Sequence, residues 1–191
     1  KTLAIEEGSD IGGTWYWNRY PGARCDSESH TYGYTFSEKI YKNWTWKEKY
    51  PKQNTILKYL KYVEKKLDLK KDILFNNKII SAKYSERKNL WQIKTNKKKV
   101  LLCKYLICAV GSLSSANIPK IKGLNTYEGK YYHTGRWPKR KVNFNNKVVA
   151  QIGTGSSGIQ VAPVIAKKVK KLVIFQRTPN YSIPARNKKL T

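Results

Sequence analysis

The residues Val148-Val149-Ala150-Gln151-Ile152-Gly153-Thr154-Gly155-Ser156-Ser157-Gly158 join a short apolar run to a glycine-rich turn. A helix is predicted after the turn, over about residues 157–168, and a second strand over residues 172–175. A GxGxxG turn between a buried strand and a helix is typical of units that bind the pyrophosphate of a dinucleotide. The first glycine permits the tight turn, the second admits the phosphates, and the third lets helix and strand pack closely. We therefore predict a βαβ unit whose nucleotide-binding residues are Gly153, Thr154, Gly155, Ser156, Ser157 and Gly158.

The residues after the second strand indicate which dinucleotide this unit prefers. Arg177 stands at the strand end, where an acidic residue would bind the ribose 2′-hydroxyl of NAD. A guanidinium group instead suits a 2′-phosphate, because it forms forked, charge-assisted hydrogen bonds. We predict that Arg177 and Thr178 contact NADPH, although a solvated arginine at a strand end remains the alternative.

The start of the chain has the complementary chemistry. Leu3-Ala4-Ile5 is predicted to be a strand, and Glu6 follows it directly. A carboxylate at this position accepts hydrogen bonds from both hydroxyls of a ribose, which suits the adenosine of FAD. The glycine-rich turn of such a unit would precede Lys1, so we expect the chain to be an internal fragment, cut at both ends.

Between these two units the pattern predicts a helix, three strands and a long crossover. The helix covers Asn54–Leu67, because its apolar residues recur at helical spacing. The strands are expected at residues 78–84, 90–95 and 100–109, with turns between them, as a small β-meander. Residues 112–145, rich in Gly and Pro, are predicted to be loop and crossover.

The chain has 191 residues and a formal net charge of +27, a charge that is typical of nucleic-acid-binding proteins. Only seven of its 39 basic residues are Arg, and the Lys are scattered along the whole chain. This distribution favours a solvated surface over a nucleic-acid interface. No apolar run is long enough to span a bilayer, so no membrane segment is expected.

The cysteines and histidines form no pattern for disulfides or for a metal site. Cys25, Cys103 and Cys108 are odd in number and lack framework spacing, so a reducing, cytoplasmic location is expected. Cys103 and Cys108 lie in an apolar run and are predicted to be core residues. His30 and His133 are far apart in sequence, and no metal ligand is predicted.

Two longer motifs are more specific. Residues 12–26 contain Gly-Gly-x-Trp, then an aromatic-Pro-Gly at Tyr20-Pro21-Gly22, then Asp26. A second motif places Tyr127, Gly129, His133, Trp137 and Pro138 at the spacing Phe-x-Gly-x-x-x-His-x-x-x-Trp-Pro, with Tyr127 in place of Phe. Over essentially its whole length the chain resembles the Baeyer–Villiger monooxygenases. Related N- or S-oxygenating flavin monooxygenases resemble the second motif but usually lack its Trp-Pro ending.

The resemblance implies an α/β fold with two Rossmann-like dinucleotide-binding domains, truncated at both ends and carrying a small inserted β-meander. Residues 1–140 would belong to an FAD-binding domain that lacks its first βα unit, and residues 141–191 would begin an NADP-binding domain. The resemblance assigns Asp26 a catalytic role beside both cofactors, where its carboxylate orients a catalytic arginine expected beyond Thr191. The other cofactor-binding residues implied are Glu6, Gly12, Gly13, Thr14, Trp15, Arg24, Cys25, Tyr32 and Ile79. His133 is expected to be a hydrogen-bonded residue of the linker between the domains.

The reaction implied uses FAD, NADPH and O₂ to insert oxygen next to a ketone carbonyl, by way of a flavin C4a-peroxide, giving an ester or a lactone. The partners expected are a small-molecule ketone and O₂, with no nucleic acid and no membrane, and the chain alone is expected to be inactive. Three alternatives remain: an N- or S-oxygenating flavin monooxygenase, a basic nucleic-acid-binding module, and a plain NADPH-binding reductase domain.

Overall fold

Seven β-strands and five α-helices are present in residues 1–190, the part of the chain that this computed structural model describes. The strands form three sheets, of which two are parallel pairs and one is an antiparallel set of three. The element order is that of an α/β protein with an inserted meander.

The first fifty residues consist mostly of loop. β1 (Ala4–Ile5) is followed by three single-turn helices: α1 (Thr14–Trp17), α2 (Ser29–Tyr32) and α3 (Glu38–Tyr41). Aromatic residues, Gly and Pro are frequent here and apolar periodicity is weak, which is why no long element forms. Side chains such as Trp15, Tyr20 and Ile40 are nevertheless buried, so the loops are packed rather than free.

The long helix α4 (Gln53–Leu67) organises this region. Ile56, Tyr59 and Val63 lie on one face of α4 and are buried, and each stabilises the fold by about 1.5–3 kcal/mol relative to exposure. The helix ends at Asp68, which adopts a left-handed conformation. β2 (Ile73–Leu74) follows and pairs with β1 in parallel, with Ala4 opposite Ile73.

The predicted meander is present, but its third strand is shorter than expected. β3 (Ile79–Ser85), β4 (Leu90–Thr95) and β5 (Val100–Cys103) are antiparallel neighbours in sequence order. The prediction that the third strand reaches residue 109 was wrong. Trp91 pairs with Cys103 close to the start of β4, so almost no partner backbone is left for the residues that follow. The prediction of two core cysteines also failed, because Cys103 is half-buried and Cys108 is exposed.

The crossover from residue 104 to residue 147 contains no β-strand, which agrees with the loop and crossover predicted for residues 112–145. Its regular structure is limited to two short 3₁₀ turns, Leu124–Thr126 and Thr134–Arg136. His133 lies at the start of the second turn, and its Nδ1 accepts a hydrogen bond from the backbone N–H of Gly135 at 3.1 Å. This contact agrees with the expected role of His133 as a hydrogen-bonded crossover residue.

The unit around the glycine-rich turn has the predicted βαβ form. β6 (Val148–Ile152) and β7 (Lys171–Phe175) are parallel neighbours, and α5 (Ser156–Ala166) connects them. The helix ends two residues before the predicted position. Val161 and Ile165 are the buried residues of α5.

One apolar cluster joins the two ends of the chain. Tyr20 and Ala23 from the first loop pack with Val161 and Ile165 of α5, and Trp137 of the crossover covers the cluster. The loop that follows α1 is therefore fixed against the helix that follows the glycine-rich turn.

Candidate functional site

The glycine-rich turn lacks side chains at three positions for three different reasons. Gly153 has φ +94°, a conformation that other residues rarely adopt. A Cβ at Gly158 would lie 2.6 Å from the carbonyl oxygen of Gly153, so helix and turn touch there. Gly155 has an ordinary extended backbone, and a Cβ on it would meet no atom within 4 Å. The fold itself gives no reason for glycine at position 155, whereas a ligand approaching the backbone does.

Side-chain amides hold this turn in place. Gln151 Nε2 donates to the carbonyl oxygens of Gly153 at 3.0 Å and Gly158 at 3.1 Å. Thr154 Oγ1 accepts hydrogen bonds from Gln176 Nε2 at 3.0 Å and from Asn180 Nδ2 at 2.9 Å. The segment that contains exposed Arg177 and Thr178 is therefore anchored on both sides to the turn, with Ser156 and Ser157 at the start of α5 nearby.

Glu6 lies at the end of β1, as predicted. Its Oε1 accepts a hydrogen bond from Gly8 N–H at 2.6 Å, which closes the turn after the strand. The carbonyl oxygen of Glu6 accepts from Asn77 N–H at 3.0 Å, and Ile79 begins β3 two residues later. The structure therefore brings Glu6 and Ile79 to the same corner of the molecule.

Gly12 and Gly13 precede α1 and differ in their surroundings. Gly12 has φ +125°, a conformation that other residues rarely adopt, and a Cβ there would lie 2.5 Å from Leu57 Cδ1 of α4. A Cβ at Gly13 would meet nothing within 4 Å, and Thr14 beside it is exposed. Gly13 and Thr14 form an open backbone surface at the start of α1.

Trp15, Cys25 and Tyr32 form a buried wall next to that surface. Trp15 Nε1 donates to Tyr32 OH at 2.5 Å, and the two rings meet edge to face with centroids 6.0 Å apart. Burial raises the pKa of the Tyr32 hydroxyl and that of the Cys25 thiol, so both groups stay protonated at neutral pH. Cys25 is thus a packing residue rather than a nucleophile.

Arg24 and Asp26 flank Cys25 and point to different surroundings. Arg24 Nη1 donates to the carbonyl oxygen of Tyr50 at 3.0 Å and lies 3.6 Å from Glu48 Oε2. Its guanidinium group is therefore engaged with residues 48–50, a contact that the sequence did not predict. Asp26 is exposed.

Gln160 of α5 connects the two groups of predicted residues. Its Oε1 accepts from Tyr20 OH at 2.9 Å and from Arg24 N–H at 3.2 Å. Its Nε2 donates to the carbonyl oxygen of Arg24 at 3.1 Å. Asp26 lies two residues after Arg24, and Gly158 lies two residues before Gln160, so the two predicted cofactor segments are neighbours.

A cavity of about 270 Å³ lies beside the C-terminal half of α5 and borders the first loop at Pro21. Its lining also includes Arg19, Trp137 and Lys168 and contains no predicted site residue. Within residues 1–190, His, Cys, Asp and Glu side chains form no group of three or more that would hold a metal ion. No helix in the same range combines the length and apolar character needed to cross a membrane.

A family model described as flavin-binding monooxygenase-like matches residues 2–189, almost the whole chain. The chain belongs to the flavin-binding monooxygenase-like family. The two motifs and the glycine-rich turn all lie within the matched residues.

Members of this family with different substrates in their names are similar to the chain. Cyclohexanone 1,2-monooxygenase of Acinetobacter is 42% identical over 191 residues, which are 100% of this chain and 35% of that protein. A phenazine N-monooxygenase of Lysobacter antibioticus is 38% identical, again over 100% of this chain and 35% of that protein. The chain thus spans about 35% of the length of these curated relatives.

A solved structure of a family member has nearly the same backbone. The crystal structure of OTEMO in complex with FAD and NADP matches with a TM-score of 0.95 and 41% identity, over 100% of this chain and 37% of that chain. The predicted α/β flavoprotein fold class is confirmed by this match.

Four residues that contact the predicted segments were not predicted from the sequence: Gln160, Gln151, Asn180 and Glu48. Gln160 is separated from Tyr20 by 140 positions, and no local pattern indicates such a contact. Gln151 lies inside a predicted buried strand, where a polar residue was a usable signal that its amide must find partners.

Proposed function

We propose that this chain forms parts of the FAD and NADPH sites of a Baeyer–Villiger-type monooxygenase. The protein would use O₂ to insert one oxygen atom next to a ketone carbonyl, giving an ester or a lactone. In this proposal residues 1–140 belong to the FAD-binding domain and residues 141–191 to the NADP-binding domain. Similarity to a cyclohexanone 1,2-monooxygenase over the whole chain supports the substrate class.

A single observation carries the proposal: the loop that contains Asp26 is hydrogen-bonded to the helix after the glycine-rich turn. Both backbone groups of Arg24 are bound by the Gln160 amide. Oxidation by a pair of dinucleotides requires that their reactive rings meet, and so requires that the two binding segments be adjacent. The Gln160 contact supports the proposal because it keeps the two predicted segments adjacent.

The residues around β1 and α1 fit an FAD. The Glu6 carboxylate would bind the ribose, Gly12 and the open backbone at Gly13 and Thr14 would face the phosphates, and Ile79 would lie near the adenine. Tyr32 OH accepts the indole N–H of Trp15 and keeps its own proton, so Trp15 would offer only a ring surface and Tyr32 would offer a ring surface and one O–H donor. The open backbone surface at Gly13 would thus serve the phosphates, and the wall of Trp15, Cys25 and Tyr32 behind it would serve the flavin ring.

The residues of the βαβ unit fit NADPH. The N–H groups at Gly155, Ser156 and Ser157 begin α5 and would bind the pyrophosphate. Arg177 and Thr178 are exposed beside Thr154, where a 2′-phosphate can reach the guanidinium group.

When bound, the two cofactors supply hydride transfer and activation of dioxygen, and the protein supplies position, charge and exclusion of water. The buried wall of Trp15, Cys25 and Tyr32 contains no charged group and would keep water from one side of the flavin. The exposed carboxylate of Asp26 would orient a cation that approaches from outside the described residues.

The test uses the protein in its natural full length. We expect it to release FAD on denaturation and to oxidise NADPH in the presence of cyclohexanone, with one atom of ¹⁸O₂ appearing in the lactone by mass spectrometry. NADPH oxidation that yields only hydrogen peroxide with every ketone tested would contradict the proposal.

N-oxygenation is the second candidate, because the phenazine N-monooxygenase covers the same length at 38% identity. Trp137-Pro138 and Asp26 favour the ketone reaction. Turnover of cyclohexanone, phenazine and a thioether by the same preparation separates the candidates, since the ketone proposal predicts the highest kcat/KM for the ketone.

We further propose a cytoplasmic location and no nucleic-acid partner. All three cysteines are unpaired, which suits a reducing compartment. Several lysines form local ion pairs, as Lys61 and Lys70 do with the shared carboxylate of Asp10.

A further inference from the structure

The amide of Gln160 makes three hydrogen bonds, all to the loop of residues 20–24. It accepts from Tyr20 OH at 2.9 Å and from Arg24 N–H at 3.2 Å, and it donates to Arg24 C=O at 3.1 Å. An uncharged amide suits this contact because its oxygen can accept two hydrogen bonds while its NH₂ group donates a third. A carboxylate at position 160 would retain the two accepted bonds but face the Arg24 carbonyl oxygen without a proton.

The backbone at Gln160 is also in direct contact with the loop. Gly22 has φ +85°, and a Cβ there would overlap the carbonyl oxygen of Gln160 and lie 3.0 Å from Val164 Cγ2. Tyr20 and Ala23 complete the contact by packing on Val161 and Ile165. The Tyr-Pro-Gly part of the first motif therefore faces α5 rather than a ligand.

The same loop is held from its other side by the start of α4. Cys25 N–H donates to Pro51 C=O at 3.0 Å, and Gln53 N–H donates to Ala23 C=O at 2.9 Å. Residues 23–25 are thus held between two helices. Of these, α4 packs behind the FAD-side residues, and α5 begins at the NADPH-side turn. A shift of α5 relative to the loop would require breaking the Gln160 bonds first.

We propose that Gln160 is a positioning residue that sets the spacing between the flavin and nicotinamide sites. It touches neither reacting ring in this proposal and acts through the backbone of Arg24, which carries Asp26 two residues later. This inference rests on the proposed function. It adds that one side chain, that of Gln160, fixes the relative position of the two cofactor sites. Replacing Gln160 should change how the cofactors meet while leaving the binding of each one intact.

The main variant is Gln160→Leu, which keeps the volume but removes all three hydrogen bonds, tested in the natural full-length protein loaded with FAD. We expect FAD content equal to the parent and a Kd for NADP⁺ changed by less than about threefold, since the phosphate-binding groups of the turn are untouched. The change in the flavin absorption spectrum caused by NADP⁺ should be largely lost. Flavin reduction at saturating NADPH should slow by about 10- to 100-fold, because a displacement of about 1 Å has that effect.

Two further variants apply if Gln160→Leu does not fold. Tyr20→Phe keeps the buried ring and deletes one hydrogen bond, and should slow flavin reduction by about 2- to 10-fold without weakening NADP⁺ binding. Gln160→Glu should weaken the NADP⁺-induced spectral change more than Tyr20→Phe does. Gln92→Ala, at an exposed position on β4, is the matched control and should equal the parent.

The outcomes separate this inference from the proposed function. If the parent shows no NADP⁺-induced change in the flavin spectrum, the two-cofactor proposal fails and the positioning role fails with it. If the parent shows the change and the position 160 and position 20 variants show it equally, only the positioning role is overturned. Loss of NADP⁺ or FAD affinity with an unchanged reduction rate also overturns it, because Gln160 would then be a binding or structural residue.

Discussion

Gly155 and Gly158 lie three residues apart in one turn, and they lack side chains for different physical reasons. A Cβ at Gly155 meets open space, whereas a Cβ at Gly158 lies 2.6 Å from the Gly153 carbonyl oxygen. The first position therefore has no packing constraint, whereas the second is constrained by the fold. A pair of alanine substitutions separates the two cases.

Gly155→Ala should leave the free energy of unfolding nearly unchanged and raise the Kd for NADPH by about tenfold or more, as displacing a phosphate contact costs about 1.5–3 kcal/mol. Gly158→Ala should lower the free energy of unfolding by about 1–3 kcal/mol through overpacking, which exceeds the gain of up to about 1 kcal/mol in helix propensity. Urea unfolding and fluorescence titration measure the two quantities. Equal effects of both variants on stability would refute the distinction.

Arg177 is exposed at the end of β7 beside the turn. Arg177→Gln should raise the Kd for NADPH by about 10- to 100-fold, since a charge-assisted hydrogen bond to phosphate contributes about 1.5–3 kcal/mol. The Kd for NADH should change by less than about threefold, because NADH lacks the 2′-phosphate. Arg87→Gln, an exposed arginine in the turn after β3, is the control. A proportional loss of both nucleotides would show that Arg177 does not select between them.

At the scale of elements, Asp10 joins the glycine-containing loop to α4 and to the 3₁₀ turn that follows it. Its carboxylate accepts from Lys61 Nζ at 2.8 Å, Lys70 Nζ at 3.1 Å and Ile11 N–H at 2.9 Å. Partial burial alone would raise the pKa of Asp10, but these hydrogen bonds outweigh it and lower the pKa to about 2. The loop that leads to Gly12 and Gly13 is thereby fixed to the helix behind it.

Because the pKa of folded Asp10 lies below its ordinary value of 3.8, its stabilisation is complete above that pH and is lost as the pH falls from 3.8 through about 2. Asp10→Asn should lower the free energy of unfolding at pH 7 by about 1 kcal/mol and remove this part of the pH dependence. Urea unfolding between pH 2 and pH 7 measures both. Asp68→Asn, which removes an exposed ion pair to Lys71, should have a smaller effect at pH 7. Parallel pH curves for the parent and Asp10→Asn would contradict the assignment.

The elements that the sequence predicted well are those with their own periodicity. β6, α5 and β7 follow from an apolar run, a glycine-rich turn and a second apolar run, and α4 follows from its buried face. The two-residue strand β2 was missed because a strand so short has no period of its own. The end of β5 was misplaced because the length of β4, not the sequence of β5, limits the pairing.

Sequence patterns predicted the candidate site where a residue acts on backbone close to it in sequence. They did not predict contacts between residues that are far apart in sequence. The three glycine positions of the turn have the expected geometry. The Arg24 guanidinium group points toward Glu48, which lies 24 positions further along the chain. The Gln160 amide binds the backbone of Arg24 across 136 positions. Both contacts depend on the tertiary fold. Binding by the predicted residues themselves stays a prediction.

At the scale of the whole molecule, a net charge of +27 is carried mostly by lysines spread over all parts of the chain. We expect duplex DNA to bind without sequence preference and the Kd to rise at least about 100-fold between 50 and 200 mM salt, as for binding that depends on phosphate charge alone. Fluorescence anisotropy with two unrelated duplexes measures this, and heparin should compete equally. Sequence-selective binding that persists at 200 mM salt would instead favour a nucleic-acid partner.

The close approach of Gly22 to the carbonyl oxygen of Gln160 has a consequence for recombination between relatives. A chimera joined anywhere between these positions takes the loop from one parent and the helix from the other. Both parents must therefore have glycine at position 22 and an amide side chain at position 160. Otherwise the loop and the helix will pack at the wrong distance, even though each half folds. Crossover libraries that keep this pair from a single parent should therefore yield a larger fraction of cofactor-reducible proteins.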